Sequence, residues 1–190
     1  MALPDENKTY TYRDYKKWKD DRRWELINGN PYLMAPPSRI HQEVLREILT
    51  IFSLYLKDKS CKVYSAPFGV RLPKANENDD DIETVVEPDI VVVCDKSKLD
   101  DEGCKGAPDL VVEIVSPSTA RNDKIKKFNL YEMAGVKEYW IVEPDNKIVT
   151  VFTLDDDKRY GRPGIYSDED KIKVSIFEDL IIDLKSVFTF

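Results

Sequence analysis

Two stretches of this chain open alike and continue as almost unbroken β-branched runs: Pro88-Asp89-Ile90-Val91-Val92-Val93 and Pro108-Asp109-Leu110-Val111-Val112-Glu113-Ile114-Val115. A strand wetted on one face alternates apolar and polar residues, whereas a strand covered on both faces reads as a continuous apolar run. The two segments are therefore predicted to be central strands of a sheet with layers on both sides. They also set a chemical problem, because Glu113 lies inside the second run, where a carboxylate is expensive to bury without a partner.

The rest of the chain supplies the covering layers. Thr11 followed by Asp14 reads as a capping box for a short helix from Tyr12 to Asp20, with Tyr15 and Trp18 on one apolar face. Asn28-Gly29 between Arg23 to Ile27 and Pro31 to Ala35 is a two-residue hairpin signal, since both turn positions need positive φ. Ser38 can cap a long helix whose stripe of Leu45, Ile48, Phe52 and Tyr55 ends near Lys57. Cys61 to Ala66 and Phe68 to Leu72 read as strands, and the acidic stretch Asn76 to Glu83 as an exposed, mobile loop. Ser118 to Ala134 has helical spacing through Ile125, Phe128 and Tyr131, with Gly135 placed to stop it. Strands return at Glu138 to Val142 and Lys147 to Leu154 around a Pro144-Asp145-Asn146 turn. A late strand at Lys171 to Phe177 and a short helix at Leu184 to Phe188 close the chain. The order predicts an α/β protein of the α+β kind, a mixed sheet with helices against it. Residues 1–190 read as one domain with a flexible tail over residues 1–9.

At 190 residues a chain can bury ~70% of its unfolded surface, so a real core is expected. The apolar runs fall short of the ~20 residues that span a bilayer, so no membrane association is expected. The polar start, Met1 to Lys8, does not resemble a secretory leader, which points to the cytoplasm. Three cysteines with no CxxC spacing and a lone histidine, His41, support neither a disulfide frame nor a zinc site. The formal charge of −7 argues against a protein that coats nucleic acid non-specifically. Its distribution is uneven: six acids and no bases lie between Asn76 and Glu87, while Arg13 to Arg23 and Arg121 to Lys127 are basic. A local contact with phosphate therefore survives the global charge. No glycine loop for a nucleotide is present, so no nucleotide cofactor is expected.

Glu113 needs a cation from the protein or a metal ion. If the two central runs pair antiparallel, Asp89 falls opposite the far end of the second strand, near Glu113. Asp109 would then lie roughly 13 Å from Glu113 at strand rise. If they pair parallel, the choice reverses. Two converging carboxylates are hard oxygen ligands suited to Mg²⁺, with Mn²⁺ as substitute, and the backbone carbonyl of Ile114 offers a third ligand. A structural ion pair at Glu113 is the alternative. His41, in the first turn of the long helix, is either a core-edge histidine making one hydrogen bond or a contact to substrate phosphate. Tyr139-Trp140 continues into an apolar strand and reads as core.

The sequence resembles the Uma-two family, whose members are assigned as endonucleases of the restriction-endonuclease-like, PD-(D/E)XK superfamily. The resemblance rests on Pro88-Asp89, Glu113 in a strand, and a helix reading Asp123, Lys127 and Tyr131. It continues through Ala134-Gly135-Val136 and Glu138-Tyr139-Trp140. It runs from about Tyr10 to Phe188 and includes the Glu25-Leu26-Ile27-Asn28-Gly29 hairpin and His41-Gln42. The chain departs from the superfamily pattern at Val115, which stands where a lysine is expected two residues after the glutamate. The resemblance implies that the lysine has moved to the following helix, at Lys127, with Lys124 and Lys126 as substitutes. A solvated basic helix is the plain alternative. The resemblance also suggests Glu25 as an additional acid, although from the sequence alone Glu25 reads as a surface carboxylate. Asp123 with Ser116-Pro117-Ser118 reads as shaping the start of that helix. The expectation is a Mg²⁺-dependent endonuclease hydrolysing DNA phosphodiesters through Asp89, Glu113 and Lys127, leaving 5′ phosphates, and by resemblance a homodimer. The alternative is a non-catalytic binding or regulatory module that keeps the endonuclease-like fold.

Overall fold

The computed structural model describes residues 4–5, 8–18, 22–116 and 122–190. Near the N-terminus α1 (Tyr12–Tyr15) forms behind Thr11, whose N–H donates to the Asp14 carboxylate at 3.2 Å. Strands β1 (Trp24–Ile27) and β2 (Asn30–Leu33) make the expected hairpin. Asn28 has φ 49° and Gly29 φ 77°, the two positive values that a two-residue turn between twisted strands demands. Ser38 caps α2 (Arg39–Tyr55), its Oγ accepting from the His41 N–H at 3.2 Å.

The middle of the chain supplies β3 (Lys62–Ser65), β4 (Val70–Arg71), a 3₁₀ turn at Asp79–Asp81, β5 (Val85–Val86) and β6 (Ile90–Val93). After these come β7 (Leu99–Asp100), β8 (Gly103–Lys105) and β9 (Leu110–Ile114). A π-helical turn at Asn122–Lys127 leads into α3 (Phe128–Ala134), which stops at Gly135 with φ 87°. The chain ends with β10 (Glu138–Glu143), β11 (Ile148–Thr153), β12 (Gly164–Ser167), β13 (Lys171–Lys173) and β14 (Ile181–Asp183).

One sheet has the order β12-β11-β10-β9-β6-β3 and another β2-β1-β5-β4-β8-β7, with β13 and β14 a separate ribbon. Every residue of β6 and β9 is buried, as their unbroken apolar runs require. One face of the first sheet sends Ile90, Val92, Leu110, Val112 and Trp140 against Val44, Ile48 and Phe52 of α2. The other sends Val91, Val111 and Tyr139 against Leu130 and Tyr131 of α3 and against Ile27, Val70 and Val86 of the second sheet. Tyr139 and Trp140 are fully buried, in agreement with the core reading. Burying each such side chain contributes about 1.5–3 kcal/mol, enough to place β9 between two covering layers rather than at a wet surface.

Glu138, fully buried at the start of β10, accepts from Trp140 Nε1 and from the backbone N–H of Ser175 and Ile176. The chain just beyond β13 is thereby fastened to the first sheet. The charge of Glu138 is met entirely by neutral donors, an arrangement that composition alone does not announce.

Four expectations need correction. The acidic stretch is exposed at Asn76, Asn78 and Asp81 but anchored: Arg71, 1% exposed, needs compensating carboxylates and takes Asp79 at 2.6 Å and Asp100 at 2.6 Å. Lys16 meets Asp80 at 2.7 Å, and Ile82 is fully buried. Cys61 and Cys94 form a disulfide, although no spacing suggested one. They sit one step beyond the Lys62↔Val93 pair of β3 and β6, so strand register brings together cysteines 33 residues apart. Cys104 is free and buried, and its thiol is pushed up to about 11 by burial. The closing helix is a three-residue 3₁₀ turn, Leu184–Ser186. The long helix expected from Ser118 is described only from residue 122, where its first turn is π-helical; residues 117–121, including Pro117, Ser118 and Thr119, lie outside the described residues.

Candidate active site

The strands β6 and β9 pair antiparallel, Ile90↔Val112, Val91↔Val111 and Val92↔Leu110. One step further along this register, Asp89 stands opposite Glu113. Asp89 Oδ2 accepts from the Ile114 N–H at 2.7 Å, a bond that holds the carboxylate against the end of β9. Asp109 lies at the other end of the strand, accepting from the Cys94 N–H at 2.7 Å and from Lys137 Nζ at 2.7 Å. Of the two aspartates that open the central runs, Asp89 is the one beside Glu113.

Lys127 reaches the same place from the π-helical turn before α3. Its Nζ is 2.9 Å from Glu113 Oε1 and 2.8 Å from Glu25 Oε1, and the side chain is 4% exposed. A π-helical turn carries one more residue per hydrogen-bonded ring than an α-helix, so it re-aims the side chains that leave it; such turns recur at functional sites. Four residues on, Tyr131 lies on the same helical face and donates its hydroxyl to Glu113 Oε1 at 2.7 Å. Complete burial, and then the charges of Glu113 and Glu25, hold the Tyr131 phenol well above its ordinary range, so it stays a donor.

Glu25 comes from β1, which lies between β2 and β5 in the second sheet. It is buried, not the surface carboxylate that its isolated position suggested. Its Oε1 accepts from Lys127 and from the Glu87 N–H at 2.9 Å. His41 approaches from the opposite side, with Nε2 3.1 Å from Asp89 Oδ1. This imidazole contact thus goes to the cluster itself, and its Nδ1, also buried, has no hydrogen-bond partner among the described residues. Lys124 does not join the cluster; its Nζ is 2.7 Å from Glu143 Oε1. Lys126 lies over the ring of Tyr32, 4.1 Å from its centroid. Tyr131, quoted in the helix motif but given no role in the site, and the Glu87 N–H are the members that sequence reasoning did not assign. The four-residue spacing of Lys127 and Tyr131 was the available signal for the first, and nothing local marked the second.

The cluster joins Glu25 and Glu113 through one ammonium and sets Asp89 beside Glu113, with neutral donors on all three carboxylates. Such a grouping can position a cation and a water beside a phosphate. Among the described residues no helix is long and apolar enough to cross a membrane.

A family model for Uma2, described as "Putative restriction endonuclease", matches residues 12–185. An uncharacterized protein of a Synechocystis species is 24% identical over 147 residues, spanning 76% of this chain and 74% of its own length. The crystal structure of a protein from Anabaena variabilis, titled a putative nuclease, aligns with a TM-score of 0.75. That alignment covers 94% of this chain and 97% of the other at 17% identity, a likeness of fold.

Proposed function

This chain belongs to the Uma2 family, and from that premise we propose that it is a metal-dependent endonuclease hydrolysing phosphodiester bonds in DNA. One observation carries the reading: Asp89 and Glu113 lie side by side at the ends of paired strands, with the Lys127 ammonium 2.9 Å from Glu113. The donor set suits Mg²⁺, with Mn²⁺ as substitute: two carboxylates and the Ile114 carbonyl are all hard oxygens. Among the described residues no group of three or more His, Cys, Asp or Glu side chains is arranged to hold a metal. Mg²⁺ keeps several waters and takes substrate phosphate oxygens, so it can be held by one or two protein carboxylates. Such an ion, when bound, makes a neighbouring water more acidic and balances charge that develops on the phosphate.

The chain's own residues have separate tasks in this reading. Lys127 orients the attacking water and stabilises negative charge on the phosphate. Glu25 holds Lys127, Tyr131 holds Glu113, and His41 fixes the rotamer of Asp89. In-line attack of the water on phosphorus breaks the P–O3′ bond, leaving a 5′ phosphate on one product and a 3′ hydroxyl, which takes up a proton, on the other. Cutting both strands of a duplex is commonly done by paired subunits, so a homodimer acting in the cytoplasm completes the proposal.

Calorimetry of Mn²⁺ binding, beside a plasmid cleavage assay, tests it. The wild type should take about one ion per chain and cleave, and Glu113→Gln, its fold checked by circular dichroism, should do neither. Cleavage retained by Glu113→Gln overturns the assignment. A second reading, a non-catalytic module with the same fold, is favoured by one feature, the burial of Lys127 against Glu113 as a satisfied ion pair. It expects no ion uptake by the wild type.

A further inference from the structure

A groove of about 310 Å³ lies between the β1–β2 hairpin and the start of α3, the elements that bring Glu25 and Lys127 to the cluster. It adjoins that cluster along the chain. Ile27, two residues from Glu25, lines it, and so does Lys126, the neighbour of Lys127. The chain has a formal charge of −7, yet this lining contains one lysine and no carboxylate. Its polar members are Asn28, Asn30 and Asn129, and its aromatic member is Tyr32.

Two of these amides are oriented. Asn30 Nδ2 donates to the Asn28 carbonyl at 3.0 Å, and Asn129 Nδ2 to the Ile125 carbonyl at 2.7 Å. Each bond turns the amide so that its carbonyl oxygen is left as an acceptor. The Lys126 ammonium sits 4.1 Å from the centre of the Tyr32 ring, on a side chain that is exposed. It can leave the ring for a phosphate, which frees an aromatic face. An aromatic face, amide acceptors and an exposed lysine are the groups that receive an unpaired nucleotide: the ring stacks a base, amides meet its edge, and the cation pairs with its phosphate.

We propose that this groove takes one unstacked nucleotide of the substrate strand, next to the phosphate that is cut, with its base on Tyr32 and its phosphate on Lys126. The inference rests on the nuclease reading and narrows the substrate to nucleic acid with an unpaired or flipped-out base. A second copy of the chain is the rival occupant, since Met133 and Ile125 at the rim are 73% and 57% exposed. The lysine and three amides of the lining argue against it, because the cores of homodimer interfaces are apolar and depleted of charge.

The test uses the full chain in metal-free buffer, so that nothing is cleaved. Fluorescence anisotropy compares a labelled single strand of about a dozen nucleotides with the same strand in duplex form. The wild type should bind the single strand more tightly. Tyr32→Leu should weaken that binding about tenfold and Tyr32→Phe should preserve it, as expected for one stacked base. Asn129→Ala, at an exposed position where folding is not at stake, should also weaken it. Equal affinity for single strand and duplex, or Tyr32→Leu and Asn129→Ala binding like the wild type, overturns the proposal. So does a dimer, seen in sedimentation, that Tyr32→Leu dissociates with no change in strand affinity. Mn²⁺ uptake on the same samples keeps the two readings apart. Tyr32-dependent binding without uptake refutes the nuclease and keeps the groove, whereas uptake and cleavage with binding indifferent to Tyr32 refute the groove alone.

Discussion

Replacing Lys127 with methionine keeps most of the stem and removes the ammonium that lies 2.8 Å from Glu25 Oε1 and 2.9 Å from Glu113 Oε1. Two charge-assisted hydrogen bonds at about 1.5–3 kcal/mol each set an upper range of about 3–6 kcal/mol. Removing one partner of a buried ion pair gives about 3–5 kcal/mol, because the other charge is left uncompensated. Tyr131 and the Glu87 N–H still donate to the same oxygens, which places the expected loss near the lower end, about 3 kcal/mol. A domain with about 5–15 kcal/mol of stability survives that loss, so the variant can be studied folded. Urea unfolding followed by circular dichroism reads the change. Adding Glu113→Gln to Lys127→Met should restore part of the loss, since the charge that lacked its partner is gone, with a coupling of at least about 1.5 kcal/mol. A loss below about 1 kcal/mol for Lys127→Met, or strict additivity in the double variant, would refute the claim that this ion pair holds the site together.

Tyr131→Phe removes one hydroxyl donor from the Glu113 carboxylate and should lower stability by about 1.5–3 kcal/mol in the same urea assay. Because that phenol is held well above its ordinary range, the deficit should stay level up to roughly pH 9; a deficit that fades as pH rises contradicts the assignment. Reducing the Cys61–Cys94 bond, which closes a 33-residue separation, should lower stability by about 3–4 kcal/mol, read by unfolding with and without dithiothreitol. Glu132 is held below the usual carboxylate range by the Tyr160 N–H and then by Arg159. Its contribution is therefore full above the unfolded value, about 4.3, and disappears as pH falls through the depressed folded value. The gap between wild type and Glu132→Gln should shrink in acid, and a gap independent of pH would exclude this linkage.

Much of this was legible in the chain because it depended on near neighbours. The Asn28-Gly29 turn, the Ser38 cap and the Gly135 stop are each written within a few residues. The preference for Asp89 over Asp109 needed only strand rise and the assumption of antiparallel pairing. What escaped notice depends on pairings between distant strands. Glu25 is buried because Leu26 pairs with Val85 and brings the Glu87 N–H alongside, a contact spanning 62 residues. Asp79 is fixed because Arg71 is buried where only carboxylates can offset its charge. The short strands β5, β7 and β8 have two or three residues each, too few for any period to register.

The fastening of Glu138 also bears on the order of events during synthesis. The backbone donor at Ser175 lies 37 residues downstream of the carboxylate it satisfies. At about 5–20 residues per second, a ribosome spends roughly 2–7 s producing that stretch. For those seconds β10 carries a negative charge that its own neighbourhood serves only through the Trp140 indole. The sheet carrying Asp89 and Glu113 can close at full stability only after Ser175 and Ile176 emerge, so residues 37 and 38 positions downstream of Glu138 set when that sheet is complete.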